Sequence, residues 1–126
     1  MIYLDTSAGV KALVDEQGSE RVRALLARDE PLISSRLFEV ELNAVLDRRG
    51  FDRGDVEAVL DRLAFASLDD EVARRAIALH PGLRALDALH LATALGLGDI
   101  VTGFLAYDAE LNDAARAHGL SIVTMD

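Results

Sequence analysis

The chain has 126 residues, 51% of them hydrophobic, and a formal net charge of −9. That length suits one compact domain with a real core, and the apolar content excludes a disordered chain. The absence of cysteine excludes disulfides, thiolate metal sites and a cysteine nucleophile.

The pattern alternates strands with helices. Ile2–Leu4 reads as a buried strand, followed by the capping residues Asp5, Thr6 and Ser7 and by Val10, Leu13 and Val14 at helical spacing. Ser19 caps a second helix through Leu25 and Leu26, Pro31 ends the next loop, and Leu32–Ser34 is a short second strand. Leu37 to Arg49 is a helix closed by Gly50. Arg53 to Leu63 is another, with Val56, Val59, Leu60 and Leu63 on one stripe. Ala64–Leu68 reads as a strand, and Asp69, Asp70 and Glu71 place acids at the start of a helix that runs to His80 and stops at Pro81-Gly82. Asp87 to Leu95 is a buried apolar helix. Ile100–Tyr107 holds a strand, Asp108–His118 a helix ended by Gly119, and Ser121–Thr124 a last strand. No repeat, low-complexity tract or linker divides the chain, so residues 1–126 are expected to form one α/β domain, a central parallel sheet flanked by helices.

The acidic balance disfavours gripping nucleic acid through a basic face, and suits a site that recruits cations or a basic protein partner. No leader with basic and long apolar regions opens the chain. No uncharged run nears the roughly 20 apolar residues that span a bilayer. The expectation is a soluble, cytoplasmic protein.

Asp5, Glu41, Asp87 and Asp108 carry the functional signal. Asp5, Asp87 and Asp108 stand where a strand or loop hands over to a helix, and in an open parallel sheet such junctions gather where ligands bind. Converging carboxylates repel, but together they can hold a hard divalent cation. Each of the three also has a plain explanation as a helix N-cap. Glu41 does not: its helical neighbours Leu37, Phe38, Ala44 and Val45 are apolar, whereas Glu39 has a mostly polar set and reads as a surface acid. A buried carboxylate at 41 needs a metal or a partner such as Arg84. His80 and His118 suit helix C-termini. His90, one turn after Asp87, lies within reach of the site, with packing or a local hydrogen bond as its ordinary role. There is no serine-hydrolase elbow, P-loop or dinucleotide fingerprint.

In this order the motifs resemble the PIN-domain family, specifically the VapC-type toxins of toxin–antitoxin pairs. The matching segments are Tyr3-Leu4-Asp5-Thr6-Ser7-Ala8, then Ser34-Ser35 with Glu41-Leu42, then Leu86-Asp87-Ala88-Leu89-His90-Leu91-Ala92. The last is Tyr107-Asp108 with Leu111, Ala114-Ala115 and Gly119. The resemblance covers essentially the whole chain. It implies a metal-dependent endoribonuclease, with Asp5, Glu41, Asp87 and Asp108 in metal-binding or catalytic roles toward Mg²⁺ or Mn²⁺. It also implies a VapB-type antitoxin and a homodimer, with Phe51 or Phe104 as candidate exposed apolar surface. One departure stands out: the family often has Thr or Ser two positions before its last acid, and this chain has Ala106. Asn112, one helical turn beyond Asp108, is the nearby polar substitute.

The chemistry so implied is hydrolysis of RNA phosphodiesters, with Lys11, Arg36, Arg48 and Arg84 as candidate phosphate contacts. Clustered acids should raise at least one carboxyl pKa, and Glu41, the most desolvated, is the expected one. A catalytically inactive PIN-like binding module is the alternative. A haloacid-dehalogenase-type phosphatase is disfavoured, because its second acid would fall where this chain has Ser7.

Overall fold

Ile2–Leu4 (β1) is apolar at every position and buried along its whole length, as expected of a strand covered on both faces. A computed structural model describes residues 1–79 and 82–124. After β1 come α1 (Thr6–Leu13), α2 (Ser19–Ala27), β2 (Leu32–Ser35), α3 (Arg36–Arg49), α4 (Arg53–Leu60) and β3 (Leu63–Ala66). They are followed by α5 (Asp70–Leu79), α6 (Ala85–Gly96), a 3₁₀ turn (Gly98–Ile100), β4 (Gly103–Leu105) and α7 (Ala109–Ala117).

The sheet order is β3-β2-β1-β4, all parallel. Tyr3 pairs with Ile33 on one side and Phe104 on the other. Alternation along β1 divides the core. Ile2 and Leu4 pack with Ala8, Val22, Phe38, Leu42 and Val56 from α1–α4. Tyr3 packs on the opposite face with Leu91 of α6 and Leu111 of α7. Burying a side chain of Leu or Phe size contributes about 1.5–3 kcal/mol, so both layers hold β1 in place. From β1 the chain moves outward to β2 and β3, then returns to place β4 on the other side. The reversal puts a crevice between the carboxyl ends of β1 and β4, where such sheets bind ligands.

Several boundaries differ from the sequence reading. The fourth helix stops at Leu60, and Leu63 leads β3 instead, paired with Leu32. Arg62 draws the chain back to the sheet by donating to the carbonyls of Leu26, Arg28 and Glu30. Gly18, not Ser19, takes the N-cap position of α2, at φ 94°; Ser19 Oγ instead accepts from the Glu16 N–H. The helix expected from Asp87 begins at Ala85. The strand expected over Ile100–Tyr107 contracts to β4, and the one over Ser121–Thr124 to a single parallel bridge between Ile122 and Phe104. The expected helix end at His80 and Pro81 lies outside the described residues.

Phe104 is not surface: it is 0% exposed and stacks on Tyr3 with ring centres 5.5 Å apart. Its position in β4, between β1 and the Ile122 bridge, leaves no open side. Phe51 is partly buried against the α1–α4 core, with the Arg49 guanidinium over its ring. Among the described residues the exposed large apolar side chains are Val40, Leu68, Ile77, Leu86 and Ile100.

Candidate active site

Asp5 directly follows β1, and Asp108 follows β4 across the crevice, so the strand order brings together residues far apart in the chain. Asp5 is only 5% exposed and needs partners. Its Oδ2 accepts from the Ser7 backbone N–H at 3.1 Å and from the Ser7 hydroxyl at 2.6 Å. The same hydroxyl accepts from the Tyr107 N–H at 2.9 Å, so Ser7 ties Asp5 to the segment leading to Asp108. Asp108 caps α7, accepting from the Leu111 N–H at 2.9 Å. Asp5 and Asp108 are therefore real caps as well as site candidates. Asp87 is not a cap: it lies in the first turn of α6, and Arg84 takes the N-cap position without a side-chain cap bond.

Glu41 is half-buried on α3 and turns toward α6. Its Oε1 accepts from the Thr6 hydroxyl at 2.6 Å and lies 2.8 Å from His90 Nε2. Its partner is thus His90, not Arg84, because α6 lies against the sheet and carries that ring inward. His90 is 1% exposed. Its Nδ1 meets the Tyr3 hydroxyl at 2.7 Å, and its Nε2 lies 3.0 Å from Thr6 Oγ1 and 3.6 Å from Asp5 Oδ1. Burial and the neighbouring Asp5 carboxylate hold the Tyr3 phenol protonated well above its ordinary range.

Glu41 and Asp87 titrate in opposite directions. Burial alone would raise Glu41, but the His90 and Thr6 hydrogen bonds and the His90 charge outweigh it, so Glu41 lies below its ordinary value. The expectation of a raised Glu41 is therefore wrong. The raised carboxyl is Asp87, pushed up by burial and then by Asp5, Asp108 and Glu41, with His90 opposing. Each of the other three acids thus acts electrostatically on Asp87. Even so, among the described residues no three His, Asp or Glu side chains stand close enough to clasp one ion. The donors are all carboxylate oxygens, the chemistry of a hard cation. Burial raises Asp87 first and its acidic neighbours add to it; that added repulsion is what a bound cation would relieve. By donor chemistry the set fits Mg²⁺ or Mn²⁺.

Around this cluster, Ala106 is buried in the α6–α7 layer, and Asn112 holds its carbonyl with an Nδ2 bond of 3.0 Å. Asn112 therefore anchors backbone rather than touching a carboxylate. Lys11 pairs with Glu16 and covers the Tyr107 ring, and Arg36 pairs with Glu39. Arg48 and Arg84 are exposed and make no ion pair among the described residues. Thr6 and Ser7, capping residues by sequence, and His90, whose ordinary role would be packing, turn out to hold the acids in place. The signal for His90 was a histidine amid the apolar run Ala88–Ala94, one turn from Asp87.

Residues 2–117 match the PIN domain. The chain belongs to the PIN-domain family. Within it the likeness is to the VapC ribonucleases: Ribonuclease VapC46 of Mycobacterium tuberculosis is 38% identical over 97% of this chain and 95% of its own length. Among solved structures, Mycobacterium tuberculosis VapC20, a Sarcin-Ricin loop cleaving toxin, aligns with a TM-score of 0.73 at 20% identity over 95% of this chain and 96% of its own. A toxin–antitoxin complex from Klebsiella pneumoniae aligns with a TM-score of 0.75 at 17% identity, over 100% of this chain and 98% of that one. At the identity and coverage of the VapC46 match, the chain falls among the VapC ribonucleases of the PIN family. No helix among its described residues is long and apolar enough to cross a membrane.

Proposed function

We propose that the chain is a cytoplasmic Mg²⁺- or Mn²⁺-dependent endoribonuclease whose ion is held by Asp5, Glu41, Asp87 and Asp108. The observation that supports this reading is geometric: Asp5 and Glu41 close on one point, at 3.6 and 2.8 Å from His90 Nε2, beside the crevice between β1 and β4, with Asp87 one helical turn before that ring. When bound, the cation supplies an acidified water and neutralises charge on the phosphate. The protein's own part is positional. Ser7 fixes Asp5, the α7 N-terminus fixes Asp108, and Thr6 with His90 fixes Glu41. Arg84, exposed at the N-cap position of α6 one turn before Asp87, is the arginine this reading assigns to phosphate contact.

The partner in this reading is a VapB-type antitoxin, supported by the fold-level likeness to a chain solved in a toxin–antitoxin complex. An acidic crevice suits an inhibitory basic side chain, which would compete with the cation. The reading includes a homodimer. With Phe104 buried, the exposed large apolar side chains open to it among the described residues are Val40, Leu68, Ile77, Leu86 and Ile100.

The test is RNA cleavage with Mg²⁺ or Mn²⁺, with and without chelator, for the wild type and for Asp5→Asn, Asp87→Asn and Asp108→Asn. Asn caps helices about as well as Asp, so capping alone leaves cleavage intact in folded variants. Metal ligation requires cleavage to fall by orders of magnitude in each. Wild-type rates from all three folded variants would defeat the proposed site, and a wild type that never cleaves RNA would favour an inactive binding module.

A further inference from the structure

His90 is a buried titratable group that the proposed ligand set does not use. Both ring nitrogens are engaged, Nδ1 by the Tyr3 hydroxyl at 2.7 Å and Nε2 by Glu41 Oε1 at 2.8 Å. A carboxylate oxygen can only accept, so Nε2 is the donor in its bond to Glu41. The Thr6 hydroxyl donates to the same oxygen. Both bonds fall on Oε1, and among the described residues no hydrogen bond reaches Oε2. The other end of the ring is equally fixed. Tyr3 is stacked on Phe104 in the core and leaves its hydroxyl no freedom to follow a moving imidazole.

We propose that His90 is a positioning residue: braced by Tyr3, it acts with Thr6 to lock Glu41 by one oxygen, leaving the other for the divalent cation. This rests on the metal reading above. A donor that orients a ligating carboxylate in this way commonly governs metal affinity although it never touches the metal. Direct ligation by His90 is disfavoured, because Nε2 would have to shed its proton and release Glu41.

Three variants test this. Calorimetry with Mn²⁺ on His90→Leu should show affinity about ten- to a hundredfold below wild type. His90→Gln, whose amide can stand in for Nε2–H, should recover most of that loss. Tyr3→Phe keeps the stacked ring but removes the brace, and should fall between the two. RNA cleavage at limiting Mn²⁺ should follow the same order. In the wild type, spin-echo spectroscopy of bound Mn²⁺ should show no directly coordinated nitrogen. Unchanged Mn²⁺ affinity in folded His90→Leu would overturn the proposal, as would imidazole nitrogen bound to Mn²⁺. Should His90→Leu not fold, Tyr3→Phe and His90→Gln decide: equal affinities for both and the wild type overturn it. A wild type that binds no Mn²⁺ would instead sink the metal reading, and this inference with it.

Discussion

At Asp87, burial and then the carboxylates of Asp5, Asp108 and Glu41 push the acid upward, against His90. A raised acid contributes stability that is complete below the unfolded carboxyl pKa of about 3.9 and is lost as pH rises through the folded value. Glu41 has the opposite sign. Held low, it contributes stability that is complete above its unfolded value and is lost as pH falls through its folded value. In chelator at neutral pH, Asp87→Asn should therefore melt above the wild type, and the gap should close as pH falls toward about 4. Thermal unfolding followed by circular dichroism across that range checks this. A gap that does not change with pH would mean that Asp87 is not under the strain of its neighbours.

The elements that carry Thr6 and Glu41 meet at a close crossing. A β-carbon at Gly9 of α1 would lie 2.5 Å from Cζ of the fully buried Phe38 of α3. Only a hydrogen fits there, so α1 approaches α3 near enough for the Thr6–Glu41 bond to form. Gly9→Ala should overpack this contact and cost about 1–3 kcal/mol, read as a lowered denaturation midpoint. A second change, Phe38→Leu, should be less damaging in the Gly9→Ala background than alone, because the two share one space. Strict additivity of the two would show that the helices do not press on each other there. The N-cap at Asp108 belongs to the same scale, since it aims α7 while leaving its acid at the crevice.

Across the whole molecule, a net charge of −9 and an acidic crevice mean that the proposed cation binding would be linked to folding. A cation that binds only the folded chain stabilises it by about 2.7 kcal/mol at a hundred times its dissociation constant. Titrating Mn²⁺ should therefore raise the melting temperature progressively, and excess chelator should reverse the shift and abolish RNA cleavage. A melting temperature that stays flat through millimolar Mn²⁺ would count heavily against the site.

The alternation of elements, the parallel α/β class and the four acids were legible in the chain because they follow from local facts. Apolar runs such as Ile2–Leu4 mark strands, helical stripes mark faces, and Asp at a strand–helix junction needs no distant contact to be noticed. The ends of α4 and β4 were not legible, because Leu63 and Phe104 are claimed by ladder partners at Leu32 and Tyr3 rather than by their neighbours in sequence. The partner of Glu41 was hidden for the same reason. Forty-nine residues separate it from His90, and only the docking of α6 on the sheet brings the imidazole to it. Which carboxyl is raised was likewise a tertiary decision. It depends on which acid receives hydrogen bonds and which is half-buried among other carboxylates, and that is set by how the helices and strands lie against one another.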